Sequence, residues 1–199
     1  MKVKGIIIFI FSLIVTYFLG RTTDLAPTAN YADKSEYLPI FTANLYADLL
    51  IVFVTFANLI YKSTTLTQWY QKYRLSAMTA DILIGVLYIL AARYAVHHFN
   101  LTKTKSDLFR FTLLAVFIQI VLDFVFYLGF TAIPKGQNNM LDHFKLYAKE
   151  VGYDALLGDS ILIVFGVVVS AFLKQKSLDF NMVTMLVGLY LVPYFIYKK

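Results

Sequence analysis

LFRFTLLAVFIQIVLDFVFYLGFTAI, residues 108–133, is apolar along its whole length except for Arg110, Gln119, Asp123 and scattered threonines. It exceeds the ~20 apolar residues that a helix needs to cross about 30 Å of hydrocarbon. Its apolar character is continuous, without the apolar-out, polar-in alternation of a membrane β-strand, so a helix is expected and not a barrel strand. Working outward, the same criterion marks residues 5–20, 38–61, 75–99, 151–173 and 180–197. The expected fold is an all-α membrane protein, a bundle of about six transmembrane helices, forming a single membrane domain over residues 1–199.

Composition points the same way. Of the 199 residues 59% are hydrophobic and only 15% charged, where a soluble domain carries about a quarter, and the mean hydropathy is +0.67. The net charge of +6 does not suggest nucleic acid, because the lysines and arginines stand singly or in pairs beside apolar spans. With no cysteine, disulfides and thiolate metal sites are excluded. His97 and His98 are adjacent, so they point ~100° apart on a helix, and His143 lies in another segment, which argues against a three-histidine zinc site. No lysine lies mid-span to form a Schiff base, and no histidine lies deep enough for bis-histidine haem. Gly-rich phosphate loops, a nucleophile elbow, a potassium-filter sequence and the paired broken helices of inverted-repeat transporters are absent. No catalytic residue, cofactor or metal is expected.

The connections carry the remaining charge. The first span follows Met1-Lys-Val-Lys4 and precedes Arg21, a pattern that suits either a start-of-chain anchor or a signal peptide. A cytoplasmic amino terminus would place Lys62, Lys72, Arg74, Lys135, Lys145, Lys149 and both termini on that side, a slight positive excess. Asn100-Leu-Thr102 has the form of a glycosylation sequon but abuts a helix end and reads as chance. After Pro134-Lys-Gly136 and a cap at Asn138-Asn139, the residues Met140, Leu141, Phe144, Tyr147, Ala148 and Val151 recur at helical spacing. They predict a short amphipathic helix before the fifth span, lying on the headgroup boundary or serving as a wet connector. Trp69, Tyr70 and Tyr73 beside Lys72 and Arg74 read as an anchoring aromatic and basic belt. Arg93 and Arg110, near the outer ends of their spans, are expected to snorkel toward headgroups.

Four carboxylates fall at membrane depth. A charge at the bilayer centre costs roughly 2.5 to 3.5 kcal/mol even on an insertion scale, so Asp48, Asp81, Asp123 and Asp159 need a reason. Asp154 lies near enough to a span end to reach water, and it is turned about 140° from Asp159. Each deep acid joins a polar or small stripe at helical spacing: Asn44, Asp48, Thr55 and Asn58; Asp81, Gly85, Tyr88 and Ala92; Gln119, Asp123 and Tyr127; Asp159, Gly166 and Ser170. Counting depth puts Asp81, Asp123 and Asp159 toward one membrane face and Asp48 near the middle. The candidate buried polar cluster is therefore Asp48, Asp81, Asp123, Asp159, Asn44, Gln119, Tyr127 and Tyr88. No cation is placed to pair with it.

FTAIPKG at residues 130–136, YAKEVGY at 147–153 and Asp159-Ser160 resemble uncharacterised multi-pass membrane proteins of giant double-stranded DNA viruses, over residues 47–194. The resemblance implies a membrane component of the virion or of an internal membrane of the infected cell, and it carries over no catalytic residue. The expected role is a structural or interaction component of that membrane, in contact with the lipid bilayer and with copies of itself or other membrane proteins. One alternative is a small proton-coupled or cation transporter using the buried aspartates; another is a membrane enzyme acting on a lipid.

Overall fold

The structure, a computed structural model, describes residues 2–57, 59 and 63–197. Regular structure among these residues is entirely helical: α1 Lys2–Thr22, α2 Tyr37–Phe56, α3 Thr64–Tyr73, α4 Leu75–His98, α5 Thr102–Lys105, α6 Leu108–Ala132, α7 Asn139–Val151, α8 Tyr153–Lys174 and α9 Leu178–Ile196. A 3-10 turn at Lys34–Glu36 leads into α2. Six of these helices, α1, α2, α4, α6, α8 and α9, are long and apolar enough to cross a membrane. Their ends are set by local chemistry. Side-chain oxygens of Ser63, Asp107, Asn138 and Ser177 accept the free amide protons that begin α3, α6, α7 and α9. Helix α2 ends at Phe56 with its cap at Ala57, earlier than the predicted span. Tyr61, where that span was expected to end, and Asn58 of its polar stripe lie outside the described residues.

Helix α2 is the post of the bundle, packed against α8, α9 and α4. The side-chain amide of Asn44 bonds Ile40 O one turn back at 2.8 Å and lies against two glycines. A Cβ added at Gly85 would meet Asn44 Oδ1 at 2.3 Å, and one at Gly166 would meet it at 3.3 Å. Gly188 of α9 also lies close to α2, since a Cβ there would lie 2.7 Å from Leu45 Cδ2. Small residues let apolar helices approach where no hydrophobic gradient drives them together. The outer helices are bare by contrast: α1, α6 and α9 bury little of their length, leaving Ile7, Phe11, Phe117, Phe124, Val183 and Leu186 exposed.

Two of the predicted anchors turn inward. Trp69 and Tyr70 are buried on α3, so this segment is an amphipathic helix folded onto the bundle and not an aromatic belt. Helix α7 forms as expected, but the Phe144 ring packs 4.7 Å from Trp69 and 5.3 Å from Phe126. Its apolar face packs on α3 and α6, where partner rings are within reach.

The opposite end holds a larger correction. Arg93 does not snorkel: it is 1% exposed and pairs at 3.2 Å with Glu36, itself fully buried. Lys174 reaches the other oxygen of Glu36 at 2.6 Å. Arg93 also donates to Asn30 O and Asp33 O at 2.5 and 2.8 Å, and Lys174 to Pro27 O at 3.1 Å. The segment joining α1 to α2 is thereby fixed to the ends of α4 and α8. A buried carboxylate demands such partners, and that need outweighs the pull of water on the arginine. Arg110 stays at the surface as expected, beside Asp107 at 3.5 Å.

Helices α2, α3 and α4 are echoed by α6, α7 and α8. In each set a long helix is followed by a capped amphipathic helix, then a junction residue with positive φ, then a second long helix. The junctions are Arg74 (φ 48, ψ −119) and Gly152 (φ 58, ψ −134). Asp81 follows the first junction at the spacing with which Asp159 follows the second. The two sets run in the same direction and meet through α3 against α7 and α2 against α8.

Gly85→Ala and Gly188→Ala should each lower thermal stability in a mild detergent, by about 1–3 kcal/mol for an overpacked contact. Gly129→Ala, whose added methyl meets nothing within 4 Å, should be neutral or slightly stabilising. Equal melting of the Gly85→Ala and Gly129→Ala proteins would show that the close approach does not set the packing.

Candidate functional site

The end of the bundle that carries α3 and α7 gathers the deep acids. Helix α3 is held in place first. Glu150 of α7 accepts the amide protons of Thr64 and Thr65 at 2.8 and 2.9 Å, a carboxylate at the positive end of a helix. Burial pushes the Glu150 carboxyl up, but hydrogen bonds from Thr65, Thr64 and Ser63 together outweigh it and hold the group below the ordinary glutamate value. His143 Nε2 meets Thr65 O at 2.8 Å, and Tyr73 Oη donates to Asn139 O at 2.6 Å.

So held, α3 presents two donors to the bundle. Trp69 Nε1 donates to Asp81 Oδ2 at 2.9 Å, and Tyr70 Oη donates to Asp48 Oδ1 at 3.0 Å. Burial raises the Tyr70 phenol well above its ordinary value, and the adjacent Asp48 and Asp81 reinforce this, so it stays a neutral donor. A second network crosses α4, α6 and α8. Tyr88 Oη and Gln119 Nε2 each donate to one oxygen of Asp123, and Ser160 Oγ donates to Gln119 Oε1 at 2.8 Å. Asp159 stands next to Ser160, within electrostatic range of Asp123 and Asp81, and no described residue gives it a hydrogen bond. Asp48 Oδ2 is buried and likewise without a partner.

The structure thus brings Asp48, Asp81, Asp123, Asp159, Gln119 and Tyr88 to one region. None of the four aspartates pairs with a lysine or arginine among the described residues. Nor does any group of three His, Asp or Glu among these residues stand ready for a metal ion. Asn44 is buried, but its role is the contact with Gly85 and Gly166 and not a bond to an acid. Tyr127 is not in the cluster: it is 45% exposed, with its ring 5.4 Å from that of Phe130. Helical spacing alone put it there, yet residues 124–129 of α6 are all exposed, and only Phe130 is buried again, against Phe144.

Trp69, Tyr70, Ser160, Glu150 and His143 complete the site and were not assigned to it from the sequence. A signal existed for the first two, since Leu66, Trp69, Tyr70 and Tyr73 share the one-sided spacing of an amphipathic helix. Comparison of the chain with family models, curated proteins and solved structures finds no match.

Tyr70→Phe should cost about 1–3 kcal/mol, because it strips from the buried Asp48 carboxylate the only hydrogen bond that a described residue gives it. Tyr127→Phe should stay within about 0.5 kcal/mol of the parent; a Tyr127→Phe loss as large as that of Tyr70→Phe would contradict this placement. The Glu150 contact has a definite pH sign. A carboxyl lowered by folding stabilises the fold above its unfolded pKa and loses that contribution as pH falls through its folded value. The parent should therefore melt above Glu150→Gln at neutral pH, and the gap should close on acidification below the ordinary glutamate range. A gap that persists in acid would refute the clamp.

Proposed function

We propose that the chain is a multi-pass integral membrane protein whose role is structural, a component that shapes or joins a membrane through its own fold and its contacts with copies of itself or other membrane proteins. The six long apolar helices support the membrane reading, since their exposed faces carry large apolar side chains that only lipid or other apolar helices would cover. The observation that carries the structural role is how the deep acids are bonded. Asp48, Asp81 and Asp123 are each met by neutral donors, and these bonds tie α2 to α3, α3 to α4, and α4 to α6. Carboxylates used in this way are interhelical glue.

The resemblance to membrane proteins of giant DNA viruses would place that membrane in the virion or the infected cell. The basic residues Lys72, Arg74, Lys135, Lys145 and Lys149 on the α3 and α7 side favour a cytoplasmic orientation for that end, and hence for the amino terminus. A second reading, a small proton-coupled or cation transporter, is favoured by one observation: Asp159 and Asp48 Oδ2 lack hydrogen-bond partners among the described residues.

Because the chain has no cysteine, single introduced thiols report topology cleanly. Gln137→Cys and Lys103→Cys should react with an impermeant maleimide from opposite sides of a sealed vesicle, and same-side labelling would rule the topology out. Reconstituted protein should then show no proton or sodium flux above empty vesicles. A flux that vanishes in Asp159→Asn would replace the structural role with transport.

A further inference from the structure

An open cavity of about 150 Å³ lies at the end of the bundle remote from the acids, between the segment before α2, the last turn of α4, and the α4–α5 turn with α5. Its lining includes Asn30, His97, Asn100, Thr102 and Lys105, with Val96 and Leu101 as the apolar part. We propose that this cavity binds a phosphoryl anion, as a phospholipid headgroup or as free phosphate.

Four observations lead there. No carboxylate lines the cavity, while an ammonium, an imidazole, a hydroxyl and two amides do. The acid bonded to the lining, Glu36, whose Oε2 accepts from Asn30 N, is itself enclosed by Arg93 and Lys174. Among the described residues no hydrogen bond to another side chain engages the side chains of Asn30, Asn100, Thr102 or Lys105, so their donors are available. The walls are fixed beforehand: Asn30 O takes Arg93, Asn30 N donates to Glu36, the Tyr31 ring stacks on His97 at 5.0 Å, and Leu101 N closes onto Val96 O. A fixed backbone frame carrying uncommitted donors, with no carboxylate in the lining, suits charge-assisted recognition of phosphate. Size narrows the ligand, because cofactor pockets run to roughly 300–1,000 Å³ and this one admits a phosphoryl group and little more.

The cavity sits at the level where α4 ends and α6 begins. On the membrane reading proposed above, on which only the lipid source rests, that level is the headgroup layer, where basic pockets between spans hold anionic lipids. Exposed Tyr94 and Phe99 flank it as interfacial residues do.

The test is thermal unfolding of the full chain in a zwitterionic detergent, titrated with dihexanoyl phosphatidic acid, dihexanoyl phosphatidylcholine or inorganic phosphate. Phosphatidic acid or inorganic phosphate should raise the melting temperature saturably. Saturation by the lipid at a tenfold lower concentration than by inorganic phosphate assigns the site to a headgroup; comparable concentrations assign it to free phosphate. Lys105→Ala combined with Asn100→Gly, the glycine suiting the φ of 51° at that position, should raise the half-saturating concentration at least tenfold. The unliganded melting temperature should remain that of the parent. No shift with either anion, an equal shift with phosphatidylcholine, or an unchanged titration in the double variant would overturn the proposal. Inorganic phosphate reads the cavity without reference to lipid, so failure of the membrane reading would leave that arm intact.

Discussion

The contact of Asn44 with Gly85 and Gly166 sets the distance of α2 from α4 and α8, and the polar networks follow from that distance. Asp48 lies one turn beyond Asn44 on α2, and Asp81 one turn before Gly85 on α4. Only helices this close allow one short helix, α3, to bond both carboxylates from adjacent residues, Trp69 to Asp81 and Tyr70 to Asp48. On the other flank α8 is near enough to α6 for Ser160 to reach Gln119 and so join the Asp123 network. A methyl group at Gly85 would push against the amide and loosen both sets of bonds together. In an interior without water, each such bond lost would leave a buried oxygen with nothing to replace it.

The two ends of the bundle solve the burial of charge differently. At one end, aspartates are met by phenol, indole and amide donors and by no cation among the described residues. At the other, a single carboxylate, Glu36, is enclosed by two cations. Asp33 stands within electrostatic range of both cations, and the guanidinium keeps Nε and Nη1 without hydrogen-bond partners among the described residues. The Tyr37 ring, 4.9 Å from the guanidinium carbon, supplies a compensating face. Ion pairs of this kind are costly to break from one side, since the survivor remains buried. They suit an element whose task is to hold a loop, as the stretch before α2 is held.

Six helices long and apolar enough to cross a membrane were legible because apolar length is a local property, and each exceeds what a soluble helix needs. Much of the interior was legible too: Asn44, Gly85, Gly166 and Ser170 were picked out by helical spacing, the first three lying at helix contacts and Ser170 against Thr28 of the segment before α2. What failed depended on partners far along the chain. Nothing near Arg93 announces Glu36, which the fold brings from another segment to within 3.2 Å. Trp69 and Tyr70 beside Lys72 and Arg74 look alike whether their helix lies on headgroups or on its own bundle, because either setting rewards one apolar and one basic face. Tyr127 followed the right periodicity into a stretch of α6, residues 124–129, that the bundle leaves exposed throughout. Periodicity gives direction around a helix and says nothing of where the neighbour ends.

The recurrence of α2–α3–α4 in α6–α7–α8 explains why the acids come in related positions. Once a short helix is turned back onto the bundle through a junction of positive φ, the first two turns of the next long helix face it, and there Asp81 and Asp159 lie. At Gly152 this backbone costs nothing special, since glycine lacks the Cβ that opposes it. At Arg74 the same geometry strains a residue with a side chain, by about 1–3 kcal/mol. The arginine is held there by its amide bond to Tyr70 O at 3.0 Å and by the Tyr197 ring, 4.8 Å from its guanidinium carbon. Strain is therefore concentrated in the copy whose short helix supplies the indole and phenol donors. The Arg74 turn aims Trp69 and Tyr70 at Asp81 and Asp48, so the cost of that backbone is offset by two buried carboxylates that would otherwise lack a donor.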